Sequence, residues 1–200
     1  MTPTRLTPRF GDAMALAFSL HGDQERKGSR VPYMAHLLGT AGIVLHFGGD
    51  EDQAIAGLLH DAAEDQGGVL TLEMIRRKLG DRVAEIVKGC TDTFEDPKPP
   101  WEPRKRAYIA KVPDEARHIL LVSAADKLDN ARAIVSDLRA ARAVGSAAAD
   151  GFWSRFNGGK SGTLWYYPAL VEAYRKALGG PLVEELDAAV REMARLAGGT

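Results

Sequence analysis

The sequence predicts an all-α protein, a helical bundle of roughly eight to ten helices. Apolar residues recur with the helical period along most of the 200 residues, without a convincing run of the alternating apolar and polar residues that strands need. Glycine and proline pairs interrupt that period at intervals typical of helices joined by short loops. The length suits a single domain over residues 1–200, with a core from about residue 10 to 145 and C-terminal helices from about 150 to 198 packed on it.

Each predicted helix follows from the apolar period and from the residues that start or stop it. In chain order the predicted helices cover residues 10–21, 33–47, 50–65, 71–79, 81–87, 114–142, 164–178 and 181 onward. Residues 25–32 form a basic loop, and Asp50 caps the third helix because its carboxylate can accept amide hydrogens of the first turn. Residues 92–103 hold four prolines and are predicted to be a surface loop. Pro181 starts the last helix at the position where proline is favoured.

The composition excludes several classes of protein. With 26 Lys and Arg against 27 Asp and Glu, the formal net charge is -1, which removes the broad attraction that non-specific nucleic-acid binding needs. The single Cys90 excludes an internal disulfide and any cysteine-cage zinc site. No signal peptide is visible, and no run of about 18 apolar residues could cross a membrane. We therefore expect a cytoplasmic protein that binds neither nucleic acid nor membrane, with the apolar C-terminal helices able to serve a homodimer or a monomer core.

The third predicted helix carries a polar face opposite its apolar one. The apolar stripe comprises Ile55, Leu58, Leu59 and Ala62. The opposite face, at about 100° per residue, comprises His60, Asp61, Glu64 and Asp65. Gly57 lies one turn earlier on that polar face and is expected to leave room for something to approach. A solvated acidic surface is the simplest interpretation, but these carboxylates repel one another unless a cation lies among them. Imidazole with carboxylate is the ligand set of manganese, iron or zinc.

Two further residues strengthen the metal-site interpretation. His36 lies on the inward stripe of the second helix, where a lone histidine is more often a hydrogen-bonded core residue than a ligand. Asp126 lies on the apolar stripe of the long helix, and a buried carboxylate needs a metal, an arginine or several hydrogen-bond donors. Asn130 lies one turn later and shares its orientation. The candidate cage, drawn from three helices, is His36, His60, Asp61 and Asp126.

Several motifs together resemble the HD-domain hydrolases of the RelA/SpoT alarmone family. Two of them are the HDAAED motif at 60–65 and the DKLDNAR segment at 126–132. The third is the segment 26–36, in which basic residues, a glycine and a Pro-Tyr pair precede His36. The fourth is the segment LGDRVAEIVKGCTD at 79–92, which is similar to the continuation of the family sequence. The HDxxED form is much more specific than a bare His-Asp pair. The matching segments leave no room for the synthetase and regulatory domains of long family members, so the chain looks like a stand-alone small alarmone hydrolase.

The resemblance implies a fold, a reaction and roles for particular residues. It implies a Mn²⁺ ion, with iron or zinc as alternatives, held by His36, His60, Asp61 and Asp126. It implies hydrolysis of (p)ppGpp at the 3′ position, giving GDP or GTP and pyrophosphate, with Glu64 and Asp65 orienting and deprotonating the attacking water. The implied substrate contacts are Lys27 over the purine with Arg26 beside it, Asn130 at the ribose or 3′ phosphate, and Arg104 and Lys105 near the distal phosphates.

The chain also departs from the family pattern. Ser123 replaces a basic residue, and Asp129 stands where the family usually has His or Tyr. An extra acid beside an anionic substrate is unfavourable unless it is turned away, which leaves the purine preference open. The aromatic segment 153–167 is expected to pack the C-terminal helices, with a nucleobase platform as the alternative. The competing functions are therefore a hydrolase of another nucleotide, such as (p)ppApp or the 2′-phosphate of NADPH, and an inactive nucleotide-binding sensor.

Overall fold

The computed structural model describes residues 4–95 and 97–198. Within these ranges the α-helices are α1 (Pro8–His21), α2 (Met34–His46), α3 (Glu51–Leu59), α4 (Ala62–Asp65), α5 (Gly68–Leu79), α6 (Asp81–Cys90), α7 (Trp101–Lys111), α8 (Arg117–Val144), α9 (Ser146–Gly151), α10 (Gly159–Ala177) and α11 (Pro181–Leu196). Short 3₁₀ turns follow α7 and α9. An isolated β-bridge joins Glu25 to Pro32 and closes the basic loop. The all-α class predicted from the sequence is confirmed.

Helix α8 is the centre of the fold. It has 28 residues, and α2, α3, α6 and α11 pack against it. The buried apolar side chains of these helices form one hydrophobic cluster, in which Leu58, Leu128 and Leu186 are fully shielded from solvent. Helix α2 and the end of α3 bring His36 and His60 to Asp126 of α8. Across the described residues, every helix falls short of the length or apolar character needed to cross a bilayer.

The predicted third helix is interrupted in the structure. Its cap is as expected, because the Asp50 carboxylate accepts from the Gln53 amide and the Gln53 side chain accepts from the Asp50 amide, each at 3.0 Å. The chain then leaves the helix between α3 and α4, so the prediction of one helix over 50–65 is wrong. The His60 Nδ1 atom lies 2.8 Å from the Gly57 carbonyl oxygen, which a continuous helix would pair with the amide of residue 61. This side chain therefore competes with the backbone for the helix's own acceptor.

Helix α7 is absent from the sequence prediction. The predicted loop over 92–103 ends early because α7 begins at Trp101. Pro103 lies in its first turn, where a helix needs no amide donor from that residue. Tyr108 is the buried residue of α7, so the helix has a weak apolar stripe to detect. Helix α10 likewise begins before the predicted residue 164, at Gly159.

Removing a core side chain should destabilise the fold strongly. We expect Leu58→Ala to lower the free energy of unfolding by about 2–5 kcal/mol, because Leu58 is fully buried on α3. Leu70 is 80% exposed on α5, so Leu70→Ala is the matched control and should change stability by less than about 0.5 kcal/mol. Urea unfolding of the two variants measures both values. Equal losses would contradict the assignment of the core.

Candidate metal centre and adjoining cleft

Four side chains from three parts of the chain meet beside the core. His36 is on α2, His60 and Asp61 form the junction of α3 and α4, and Asp126 is on α8. The Nε2 atoms of the two histidines are 3.2 Å apart. Asp126 Oδ1 lies 3.3 Å from the first and 3.4 Å from the second, and Asp61 Oδ2 lies 3.6 and 3.0 Å from them. The structure therefore brings together all four residues of the candidate cage.

Both histidine rings use Nδ1 for hydrogen bonds outside this cluster. His60 Nδ1 donates to the Gly57 carbonyl at 2.8 Å, and His36 Nδ1 lies 2.6 Å from Asp129 Oδ2. Because a neutral imidazole has one donor and one acceptor nitrogen, each Nε2 then presents a lone pair to the other ring. Two facing lone pairs repel each other unless a proton or a cation lies between them.

The spacing of the cluster fits one divalent cation. Ligand atoms about 2.0–2.2 Å from a common ion lie roughly 3.0–3.5 Å from one another. The His36, His60 and Asp126 atoms lie 3.2, 3.3 and 3.4 Å apart, and Asp61 Oδ2 lies 3.0 Å from His60 Nε2 but 3.6 Å from His36 Nε2. His36, His60 and Asp126 are all buried, and each offers one ligand atom within 4.8 Å of the others. Imidazole and carboxylate donors without thiolate suit manganese, iron or zinc. The residues present thus fit a divalent metal ion.

Gly57 allows the histidine-bearing helices to approach each other. The glycine is buried, and a Cβ atom on it would lie 3.1 Å from the Ala41 Cα atom on α2. Gly57 thus leaves room for something to approach, as expected, and the α2 backbone is what approaches. The close approach brings the ring centroids of His36 and His60 to 5.0 Å. His60 is only 2% exposed, so this part of the polar face lies in the interior rather than on a solvated surface.

Asp126 is as buried as the sequence predicts, at 4% exposure. Asn130 Nδ2 donates to Asp126 Oδ1 at 2.6 Å, as their shared orientation suggested. The ammonium group of Lys127 donates to the other carboxylate oxygen. The buried charge of Asp126 is thus compensated by one cation and one amide in addition to the histidine rings.

Protons would compete with a metal for this centre. Burial favours the neutral form of His36, but hydrogen bonds to Asp126, Asp129 and Asp61 outweigh burial and raise the pKa of His36 to about 9. Burial also opposes charging of His60, yet the charges of Asp61 and Asp126 raise its pKa well above the ordinary value. In chelator-treated protein, the raised pKa of His36 stabilises the fold fully below pH 6.5. That contribution is lost as the pH rises through about 9.

Mn²⁺ binding should tighten as the pH rises from about 6 to about 8. Because the pKa of His36 is about 9 in the absence of metal, the ion must displace a proton from its ring across this range. The apparent affinity should rise about tenfold per pH unit for each proton displaced. Isothermal titration calorimetry in two buffers of different ionisation enthalpy counts the protons released. A pH-independent affinity would contradict this assignment.

The predicted catalytic carboxylates lie beside a group of cations. Glu64 accepts from Lys98 Nζ at 2.9 Å and from the Asp92 amide at 3.0 Å. The Arg104 guanidinium approaches Glu64 to 3.8 Å, and Asp65 accepts from Lys98 at 3.2 Å. Glu64 therefore lies in the same polar region as one of the predicted substrate-binding arginines.

A cleft of about 290 Å³ adjoins this region. Its cationic lining is formed by Lys27, Arg104, Lys105, Lys127 and Arg155, and its aromatic lining by Trp101, Phe156, Tyr166 and Tyr167. Asn130 and Glu64 line it as well. Because Lys127 and Asn130 both contact Asp126, the cleft reaches the metal cluster.

The basic residues predicted to bind substrate donate hydrogen bonds to different acceptors. Lys27 Nζ donates to Asn157 Oδ1 at 2.8 Å, and both residues line the cleft. Lys105 Nζ donates to Asp92 Oδ2 at 2.6 Å, and Arg104 donates to the same oxygen. The Arg26 guanidinium, in contrast, donates to two side chains of α8, Asp129 and Asn130.

Sequence reasoning missed three functional candidates in this region. Tyr33 donates to Asp61 Oδ2 at 2.5 Å, and burial together with the Asp61 charge raises the pKa of this tyrosine. Lys127 neutralises Asp126, and its position next to that aspartate was the available signal. The buried Asp92 carboxylate forms ion pairs with Arg104 and Lys105. No sequence pattern indicated this, because Asp92 stands at the start of a proline-rich loop. In the aromatic segment 153–167, Trp153 is buried in the core, whereas Phe156 lines the cleft.

The fold and the cluster define an all-helical protein with a His–Asp centre suited to a divalent cation. A family model described as HD domain matches residues 13–163. The chain belongs to the HD-domain family.

The chain is also similar to named members of that family. It is 39% identical over 124 residues to the guanosine-3′,5′-bis(diphosphate) 3′-pyrophosphohydrolase MESH1 of Xenopus tropicalis, covering 60% of this chain and 66% of that protein. It is 32% identical over 127 residues to a probable enzyme of the same name from Synechocystis sp., covering 61% of this chain but 16% of that protein. The chain thus spans less than two thirds of each relative. These relatives confirm the resemblance to RelA/SpoT-type HD proteins.

A solved structure supports the fold over nearly the whole chain. It is described as a metazoan ortholog of SpoT that hydrolyzes ppGpp, and the TM-score is 0.72 with 23% sequence identity. The match covers 94% of this chain and 97% of the other. The arrangement of the C-terminal helices, which lies largely beyond the matched sequence segments, therefore has a counterpart in a solved structure.

Proposed function

We propose that the protein is a Mn²⁺-dependent 3′-pyrophosphohydrolase of (p)ppGpp, releasing GDP or GTP and pyrophosphate. One observation carries the proposal: a buried His–Asp cluster suited to a divalent cation opens into a cleft lined by cations and aromatic rings. A pyrophosphorylated purine nucleotide needs this combination, since its phosphates are anionic and its base is flat and apolar. The two relatives named for this reaction support the same conclusion.

Different residues of the cleft bind different parts of the nucleotide. Lys127 reaches both Asp126 and the cleft, so its ammonium faces the phosphate nearest the metal. Arg104 and Lys105 supply further positive charge for the distal phosphates. Lys27 and Phe156, both in the lining of the cleft, are placed to hold the purine between an ammonium group and a ring. Asn130 contacts the ribose or the 3′ phosphate.

The carboxylates of α4 act on the attacking water. When bound, a divalent ion held by His36, His60, Asp61 and Asp126 supplies an activated water and neutralises charge on the phosphoryl oxygen. Glu64 accepts the proton of the attacking water, because it lines the cleft and follows His60 by four residues. Asp65 orients that water.

A substrate comparison tests the proposal. The purified full chain is incubated with Mn²⁺ and, separately, with ppGpp, ppApp and NADPH, and the phosphorus products are separated. We expect GDP and pyrophosphate in equal amounts from ppGpp. Orthophosphate from NADPH, or pyrophosphate from ppApp alone, would assign the site to another nucleotide. Binding of ppGpp without turnover would support the inactive sensor.

The complete set of ligand and carboxylate residues disfavours the inactive sensor. An HD protein that had lost catalysis would be expected to lack one or more of them, whereas His36, His60 and Asp126 all converge here. We further propose that the partner is a small-molecule nucleotide and neither nucleic acid nor membrane, that the protein acts in the cytoplasm, and that its apolar C-terminal helices serve either a homodimer contact or a monomer core. These three statements stay predictions, as does the single-domain organisation over residues 1–200.

A further inference from the structure

Asp129 contacts the edge of the His36 ring that faces away from the metal cluster. Its Oδ2 atom lies 2.6 Å from His36 Nδ1, whereas His36 Nε2 lies within 3.6 Å of His60, Asp61 and Asp126. The Asp129 side chain is 20% exposed. A carboxylate thus accepts a hydrogen bond from one ring nitrogen while the other is directed at the proposed metal position.

This arrangement determines which ring nitrogen is free to bind a metal. A neutral histidine ligand must carry its proton on the nitrogen that does not bind the ion. A carboxylate acceptor selects that tautomer, restrains the rotation of the ring and makes the ligand more basic. His60 obtains the same orientation from the Gly57 carbonyl, so each histidine has its own acceptor.

Arg26 connects Asp129 to a second metal-ligand candidate. Its NH1 group donates to Asp129 Oδ2 at 3.0 Å, and its NH2 group donates to Asn130 Oδ1 at 2.9 Å. Asn130 in turn donates to Asp126 Oδ1 at 2.6 Å. One guanidinium group therefore restrains the outer partners of both His36 and Asp126.

The opposite helix leaves space for this carboxylate. Gly39 lies on α2 one turn after His36, and a Cβ atom there would lie 2.3 Å from Asp129 Oδ1. Gly42 lies three residues further along the same helix, and a Cβ atom there would have no neighbour within 4 Å. Gly39 is thus the position on α2 where any side chain would displace Asp129 from His36.

We propose that Asp129 is a positioning residue of the metal centre, which holds His36 with Nε2 directed at the ion and is itself held by Arg26 in the space left by Gly39. The inference rests on the metal site of the proposed function. It explains why an acid tolerates a place beside an anionic substrate, because Asp129 is turned toward His36 and Arg26. It also assigns Arg26, expected from the family resemblance to be a substrate contact next to Lys27, to the support of the metal site.

Metal titration of the full-length protein tests the proposal. The affinity for Mn²⁺ is measured by isothermal titration calorimetry at one pH, and the fold of each variant is checked by circular dichroism. We expect Asp129→Leu to weaken Mn²⁺ binding about 10–100-fold. Asp129→Asn should lose less, because the amide oxygen still accepts from His36 Nδ1. Gly39→Ala should weaken binding in the same direction, whereas Gly42→Ala, the matched control, should bind as the wild type does.

A spectroscopic measurement separates positioning from a general structural role. In the Zn²⁺-loaded wild type labelled with ¹⁵N-histidine, NMR correlation spectra should show His36 protonated at Nδ1, and Asp129→Leu should lose that hydrogen-bonded resonance. Wild-type affinity in Asp129→Leu, or a His36 ring protonated at Nε2, would overturn the inference. If the wild type binds Mn²⁺ with this tautomer but leaves ppGpp intact, the proposed function fails and the inference stands.

Discussion

Asp126→Asn is expected to lose Mn²⁺ binding and, with it, nearly all turnover. The substitution removes a buried anionic donor that lies 3.3 and 3.4 Å from the two histidine Nε2 atoms. We expect the Mn²⁺ affinity to fall by more than the roughly 10–100-fold that follows loss of an outer partner of a ligand. Turnover of ppGpp should fall at least about 10³-fold, because the metal contributes several kcal/mol of transition-state stabilisation.

Asparagine is preferable to alanine at this position for a physical reason. Lys127 pairs with Asp126 in the interior, and alanine would leave that ammonium buried without an acceptor. Asp137→Asn is the matched control, since Asp137 lies on the same helix, pairs with Arg155 and is 41% exposed. The control should bind Mn²⁺ normally. An Asp126→Asn protein with wild-type Mn²⁺ affinity would show that the metal site has been placed wrongly.

Glu64→Gln should keep the metal and the substrate but slow the reaction. Glu64 makes its contacts with Lys98, Arg104 and the Asp92 amide, and glutamine can keep the amide bond while it is unable to accept a proton from water. We expect kcat to fall by about 10² or more, the usual scale of general acid–base catalysis, with KM and the Mn²⁺ affinity changed little. Steady-state kinetics and a parallel metal titration separate the two effects.

A surface glutamate provides the comparison for this variant. Glu73 on α5 pairs with Arg76 and is 49% exposed, so Glu73→Gln removes a comparable charge from a residue outside the cleft lining. It should turn over ppGpp at the wild-type rate, because exposed ion pairs contribute about 0–1 kcal/mol. Normal turnover in Glu64→Gln would assign water activation to another group, with Asp65 the next candidate.

The sequence predicted features that depend on neighbouring residues. The helical period gave the all-α class and the inward direction of His36 and Asp126, both of which are buried. Spacing within one turn predicted that Asn130 shares the orientation of Asp126, and a hydrogen bond of 2.6 Å joins them. Such features follow from helix geometry, which repeats every 3.6 residues whatever the rest of the chain does.

The helical period gave wrong or missing helix predictions in two situations. In one a side chain takes a backbone hydrogen-bond acceptor, and in the other the helix is mostly polar. The helix over 50–65 breaks at His60 because that ring bonds to the Gly57 carbonyl, a competition that the apolar period does not register. Helix α7 was not predicted because its buried residue is Tyr108, which leaves no clear apolar stripe. The prolines just before it also indicated a loop.

The all-α class and the residue types of the metal cage were determined by the sequence alone, while the orientation of each ligand was decided by the tertiary structure. Asp129 appeared from the sequence to be an acid misplaced beside an anionic substrate. Its partner His36 lies 93 residues away, and the space between them exists because α2 has a glycine where it faces α8. Contacts at such separation depend on how whole helices pack, which no local period or spacing encodes.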